Sequence, residues 1–153
     1  RLTDCFEVTK YSSLSQLREN LEKFSDKQPA FGIYAGNQDY RLLIAPILDP
    51  NVSRLDQLDV KILHDQIINK FFGVDVAIPE DQEKISYKAD TSQAIEMVKS
   101  GDYQIAFLMN PTSVNHVNEV ALDGKTMPQK STFFYPKLAT GITFNLLNSP
   151  ILI

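Results

Sequence analysis

Gln104-Ile105-Ala106-Phe107-Leu108-Met109 runs without a break into Asn110-Pro111-Thr112-Ser113. The first six residues are nearly all apolar, the pattern of a strand covered on both faces. The next four are helix-start chemistry. Asn110 can cap free amides, and Pro111 suits the first helical position, where its missing N–H costs nothing. Val114, Val117, Val120 and Ala121 then recur at helical spacing as far as Gly124.

The segment before this stretch has matching punctuation. Residues 85–89 read as a strand, Asp90 with Gln93 caps a helix bearing Ala94, Ile95, Met97 and Val98, and Gly101 ends it. A β-α-β run of this kind predicts a parallel pair with a right-handed crossover. Further back, Val60, Leu63, His64, Ile67, Ile68 and Phe71 form the strongest helical stripe, with Asp56 or Asp59 as cap and Gly73 as the terminating residue. Residues 79–83 are a polar, exposed insertion. Residues 30–35 and 40–45 are β-rich runs joined by Gly36-Asn37-Gln38-Asp39, the signature of a hairpin. Residues 5–9 alternate as a short strand, and Ser13 with Gln16 opens a helix carrying Leu14, Leu17, Leu21 and Phe24. Beyond the central stretch, residues 132–135 and 142–147 read as strands. The class expected is α/β with an α+β tendency. It is a mixed sheet with an N-terminal hairpin and C-terminal β-α-β-α units, with helices packed on the sheet.

The chain has 153 residues, 43% of them hydrophobic and 22% charged, which suits one domain over residues 1–153 with a self-sufficient core. Its 15 basic and 19 acidic residues give a net charge of −4, which argues against a nucleic-acid surface. The single cysteine, Cys5, cannot form a disulfide within the chain and fits a reducing, cytoplasmic setting as a small buried side chain. No apolar run approaches the roughly 18–20 residues of a membrane span. The opening on Arg1 rather than Met, inside what already reads as structure, suggests a boundary within a longer chain or a processed fragment.

Two segments attract attention as chemistry. At the junction after residues 104–109, helix-start amides and the side chains of Asn110, Thr112 and Ser113 would face the carboxyl edge of a sheet, a place suited to an anion. Plain capping is the commoner role of such a sequence. The second segment, Met127 to Lys137, interleaves Lys130, Ser131, Thr132 and Lys137 with Phe133, Phe134 and Tyr135. Lysine charges beside hydroxyl donors suit phosphate, although the Gly-rich loop of a P-loop is absent. The alternative is a strand with core aromatics and solvated lysines. Together Asn110, Thr112, Ser113, Lys130, Ser131, Thr132 and Lys137 are the candidate anion-binding set. His64 lies on an apolar stripe and reads as a satisfied core histidine, and His116 as exposed. Two histidines and one cysteine make no zinc set, and no motif assigns a cofactor or a catalytic residue.

Leu58-Asp59-Val60-Lys61-Ile62-Leu63-His64, Ile85-Ser86-Tyr87 before a capped helix, Ala106-Phe107-Leu108-Met109-Asn110-Pro111, and above all Met127-Pro128-Gln129-Lys130-Ser131-Thr132-Phe133-Phe134-Tyr135-Pro136-Lys137-Leu138 with Gly141 carry a resemblance. The chain resembles the C-terminal portion of the bacterial and archaeal family catalogued as domain of unknown function 1015. The likeness spans nearly the whole chain, in order. It implies a longer parent whose N-terminal part carries an Asp-Gly-His-His-Arg segment similar to a ParB/sulfiredoxin-type nucleotide-handling site. This chain has no such segment, so independent activity is not expected of it. The resulting expectation is a ligand-binding C-terminal part of a two-part cytoplasmic protein, with a phosphate-bearing small metabolite or nucleotide as ligand and phosphoryl chemistry in the parent. The alternative is a non-catalytic structural or protein-interaction module that packs against the parent's N-terminal part.

Overall fold

The computed structural model describes residues 2–25, 27–47, 52–128 and 130–132. A 3₁₀ turn, Leu2–Asp4, leads into strand β1, Glu7–Tyr11. Helix α1, Leu14–Glu22, follows, and the Ser13 hydroxyl caps it by accepting from the Gln16 amide. Gln16 Oε1 accepts in return from the Ser12 amide and hydroxyl, one residue earlier than a strict capping box would have it. Strands β2, Ala30–Tyr34, and β3, Tyr40–Ile44, form the expected hairpin in the register Tyr34↔Tyr40 to Ala30↔Ile44. Its loop is a tight turn: Asp39 N–H donates to the Gly36 carbonyl at 2.8 Å, while Asn37 and Gln38 hold φ at 48° and 58°.

A continuous helix, α2, then runs through residues 59–72. Its first turn is Asp59–Ile62 and its last is Lys70–Phe72, but the seven residues between them, Leu63–Asn69, are π-helical. Leu58 occupies the N-cap position without a side-chain hydrogen bond, so neither Asp56 nor Asp59 caps this helix as expected. Gly73 ends it with φ 66°, the left-handed geometry that its lack of a Cβ permits. A short helix α3, Pro79–Gln82, precedes α4, Thr91–Lys99, which Asp90 caps as read from the sequence. Strand β4, Ala106–Met109, and helix α5, Val114–Leu122, complete the described elements.

Among the described residues the sheet order is β1-β3-β2-β4, and every pairing is antiparallel. The expected hairpin and the helices packed on the sheet are present. The expected parallel β-α-β unit is not. Residues 85–89 pair with no strand, and β4 aligns antiparallel to β2 in the register Phe31↔Met109 to Tyr34↔Ala106. The strand buried on both faces is β2, all five of whose residues are inside. β4, expected to be that strand, leaves Phe107 half-buried and Met109 exposed, because among the described strands it pairs with β2 alone.

Both faces of the sheet are covered, which makes three layers. Phe31, Ile33 and Leu43 pack with Ile62, Leu63, Ile67 and Ile68 of α2. On the opposite face, Leu42, Ala30 and Leu108 pack with Leu17 and Leu21 of α1, and Tyr34 and Ala106 with Ile95 and Val98 of α4. Gly32 lets α1 approach closely. A Cβ there would stand 3.2 Å from Leu108 Cβ and 3.2 Å from Leu17 Cδ2. Val120 of α5 meets Leu58 and Val60, which ties α5 to the start of α2. The expected strands at residues 132–135 and 142–147 lie wholly or almost wholly outside the described residues.

Candidate functional site

The segment from 110 to 113 is a connection, not a helix start. Asn110 Nδ2 donates to the Leu21 carbonyl at 2.8 Å, and Pro111 has no N–H. The helix begins later, and its cap is Ser113, whose hydroxyl accepts from the His116 amide at 3.3 Å. This corrects the expectation that Asn110 caps with Pro111 at the first helical position. The four residues 110–113 between β4 and α5 allow α5 to reach back to α2.

The two predicted segments do meet. Thr112 Oγ1 donates to the Ser131 carbonyl at 3.0 Å, and Ser131 Oγ donates to the Pro128 carbonyl at 2.6 Å. The contact does not merge them into one pocket. Asn110 and Thr112 line a polar cavity of about 210 Å3, together with Lys27, Arg54, His116 and Glu119. Arg54 Nε lies 3.4 Å from Glu119 Oε2, so that cavity's guanidinium is already paired. Lys130 and Thr132 line a different and larger cleft of about 730 Å3. Ser113 caps α5 and Lys137 lies outside the described residues.

The larger cleft sits at the β4 edge, between the layer of α2 and the layer of α4. One wall is β4 itself with residues 103–105, and the other is the irregular segment 84–89. His64, Ile68 and Phe72 project into it from α2. Phe72 stacks edge-on against Phe107 with ring centroids 6.1 Å apart, so the base of the cleft is apolar. Three lysines, Lys84, Lys88 and Lys130, stand on its lining. Lys84 is paired with Asp81 at 2.5 Å; among the described residues Lys88 and Lys130 form no ion pair. Lys130 is held in a left-handed backbone geometry, φ 60°, which a residue with a Cβ adopts only when its surroundings impose it.

Within this cleft, the phenolic oxygen of Tyr87 lies 3.2 Å from His64 Nε2, and the two rings meet edge-on with centroids 6.2 Å apart. His64 is the one buried polar or charged side chain among the described residues, at 8% exposure. Burial pushes its imidazole below the ordinary histidine value and the Tyr87 phenol above the ordinary tyrosine value. His64 is therefore neutral near pH 7, with one ring nitrogen able to accept and the other to donate. Its backbone is the π-helical stretch of α2. Such stretches are rare and occur frequently at functional sites. Sequence reasoning placed His64 on the core stripe but found no partner for it. Tyr87 is 23 residues away in a segment read as a strand, and no spacing links the two. Among the described residues no group of three or more His, Cys, Asp or Glu is arranged to hold a metal ion, and no helix is long and apolar enough to cross a membrane.

No protein-family model matches the chain, and comparison with curated proteins and with solved structures finds no match. The resemblance drawn above thus rests on its residues alone.

Proposed function

We propose that this chain is a ligand-binding module whose cleft at the β4 edge takes a small organic anion with an apolar body. A phosphate-bearing metabolite or nucleotide is the class that fits this description. One observation carries the reading: an apolar cleft of about 730 Å3 that bears lysines on its lining in a chain of net charge −4. A hollow of this size is in the range of small-molecule sites, which are mostly apolar with a few convergent polar groups. The apolar base would hold the ligand's body, and Lys88 and Lys130 would meet its charge. In this reading Lys130 and Thr132 serve the ligand, while Asn110, Thr112, Ser113 and Ser131 build the wall between the two cavities. The module would act in the cytoplasm as the C-terminal part of a longer protein, in keeping with the family resemblance. Its own N-terminal part would be its partner, with no nucleic acid or membrane involved.

Thermal-shift and calorimetric titration with 1-naphthyl phosphate and with AMP tests the reading. Binding of either, weakened on the order of tenfold in a Lys88→Ala/Lys130→Ala variant, is the expected result. Failure of both to bind, or binding untouched by the double substitution, would overturn it.

A second reading, a non-catalytic module docking on the rest of its parent, draws on Val114 and Leu122 of α5, which are 74% and 78% exposed. Isolated exposed apolar residues are common on folded proteins, so this observation weighs less than the cleft.

A further inference from the structure

We propose that the His64–Tyr87 pair is the recognition element inside the cleft, and that seating an anionic head group beside it draws one proton onto His64. The inference rests on the cleft being the ligand site and goes further by naming how the charge is read.

A histidine kept inside a core and satisfied by a single phenol is a costly arrangement unless the polar pair has a use. Here the pair opens into a cleft with lysines on its lining, and His64 stands on the one stretch of π geometry among the described residues. In the neutral tautomer with its proton on Nδ1, His64 Nε2 accepts the hydrogen bond and the Tyr87 O–H is spent on it. A proton arriving on Nε2 reverses the bond: N–H then donates to the phenolic oxygen, and the Tyr87 O–H is free to turn to a ligand oxygen. The chain of donors runs from imidazolium to phenol to anion, and no bond other than N–H is made. The ligand's negative charge offsets the desolvation that otherwise keeps the imidazole neutral.

The charged and titratable groups around His64 allow this reading. Tyr87, Lys84 and Lys88 come from the facing segment, Tyr103 from the turn before β4, and Lys130 from the adjoining loop. Lys61 and Asp65 lie on its own helix, paired with each other. No carboxylate lines the cleft among the described residues to hold the imidazolium in the empty site, so the ligand is the group that supplies the negative charge.

The probe is naphthalene-2-sulfonate, whose charge is constant across the histidine range. Titration calorimetry between about pH 5 and 8, in two buffers of different ionisation enthalpy, should show uptake approaching one proton per ligand. Affinity should rise by up to about tenfold per unit fall in pH between the free and bound His64 pKa values. His64→Gln, which keeps a hydrogen-bonding side chain, should abolish both effects, and His116→Gln should leave both intact. Should His64→Gln fail to fold, NMR titration of the wild-type His64 ring decides the matter, since its pKa must rise when the sulfonate is added. Binding without proton uptake, or with a pH slope that survives His64→Gln, would overturn this inference alone. Absence of binding at every pH would take the cleft reading down with it.

Discussion

Asn110 Nδ2 donates to the main-chain carbonyl of Leu21, a residue 89 positions earlier, at 2.8 Å. Leu21 closes the buried face of α1, and its carbonyl, which already accepts from the Phe24 amide at 3.1 Å, takes Asn110 as a further donor. Asn110 therefore staples the exit of β4 to the end of α1, across the layer boundary. Its amide, expected from the sequence to face an anion, is committed to the fold.

Asn110→Ala should accordingly lower stability by about 1–2 kcal/mol and the melting temperature by a few degrees. Asn110→Asp should be at least as harmful, because it removes the donor and sets a carboxylate against a carbonyl. Neither should change binding of naphthyl phosphate or AMP. Thermal melts paired with titration calorimetry separate the two effects.

Gly32 sits where α1 comes closest to the sheet, with Leu17 and Leu108 on either side of its missing Cβ. Gly32→Ala is expected to cost about 1 kcal/mol, since its Cβ presses on both Leu108 Cβ and Leu17 Cδ2 by only a few tenths of an ångström, and Gly32→Val about 2–3 kcal/mol, since its two added methyls drive further into the same side chains. Urea denaturation should show a lower midpoint at unchanged slope. An unaffected Gly32→Val protein would mean that α1 stands off the sheet.

In the β2–β3 turn, Gln38 carries φ 58°, a geometry that disfavours a side chain with a Cβ. Gln38→Gly should recover part of that strain and stabilise the protein by about 0.5–1 kcal/mol. Retention of the Asn37 side chain makes the pair Asn-Gly, the preferred sequence for such a hairpin. Calorimetric melting would report the gain as a rise of a few degrees.

His64 sets an acid limit on stability. Its folded-state pKa is lowered from 6.5 by burial, so between the folded and unfolded values the unfolded chain binds more protons. The contribution of the neutral His64 is complete above the unfolded pKa and is lost as pH falls through that value toward the folded one. Stability measured in urea should therefore drop from about pH 7 to pH 5, and His64→Gln should flatten that part of the curve. An identical acid slope in the variant would place the dependence on the carboxylates instead.

Much of the architecture was legible in the residues themselves. The turn Gly36 to Asp39 and the apolar runs beside it specify the hairpin. Ser13, Asp90, Gly73 and Gly101 mark helix ends where caps and glycines satisfy backbone groups by local chemistry. The stripe from Val60 to Phe71 specifies a buried helix face. All of these depend on contacts within a few positions along the chain, and that is why they could be read there.

What failed, or could not be seen, depends on contacts between distant positions. Residues 85–89 have the composition of a strand, but composition does not choose a partner; β4 took the edge beside β2 instead, and the segment became a cleft wall. Asn110 looked like a cap because Asn, Pro, Thr and Ser are good helix-start residues in any context, and only the proximity of Leu21 gave it another bond. The His64–Tyr87 pair joins a helix to a strandless segment across the sheet edge, with no periodicity to announce it. Local hydrogen bonding and hydrophobic spacing determined the elements of this protein, while the packing of α2, β4 and residues 84–89 around one hollow decided where its polar groups meet.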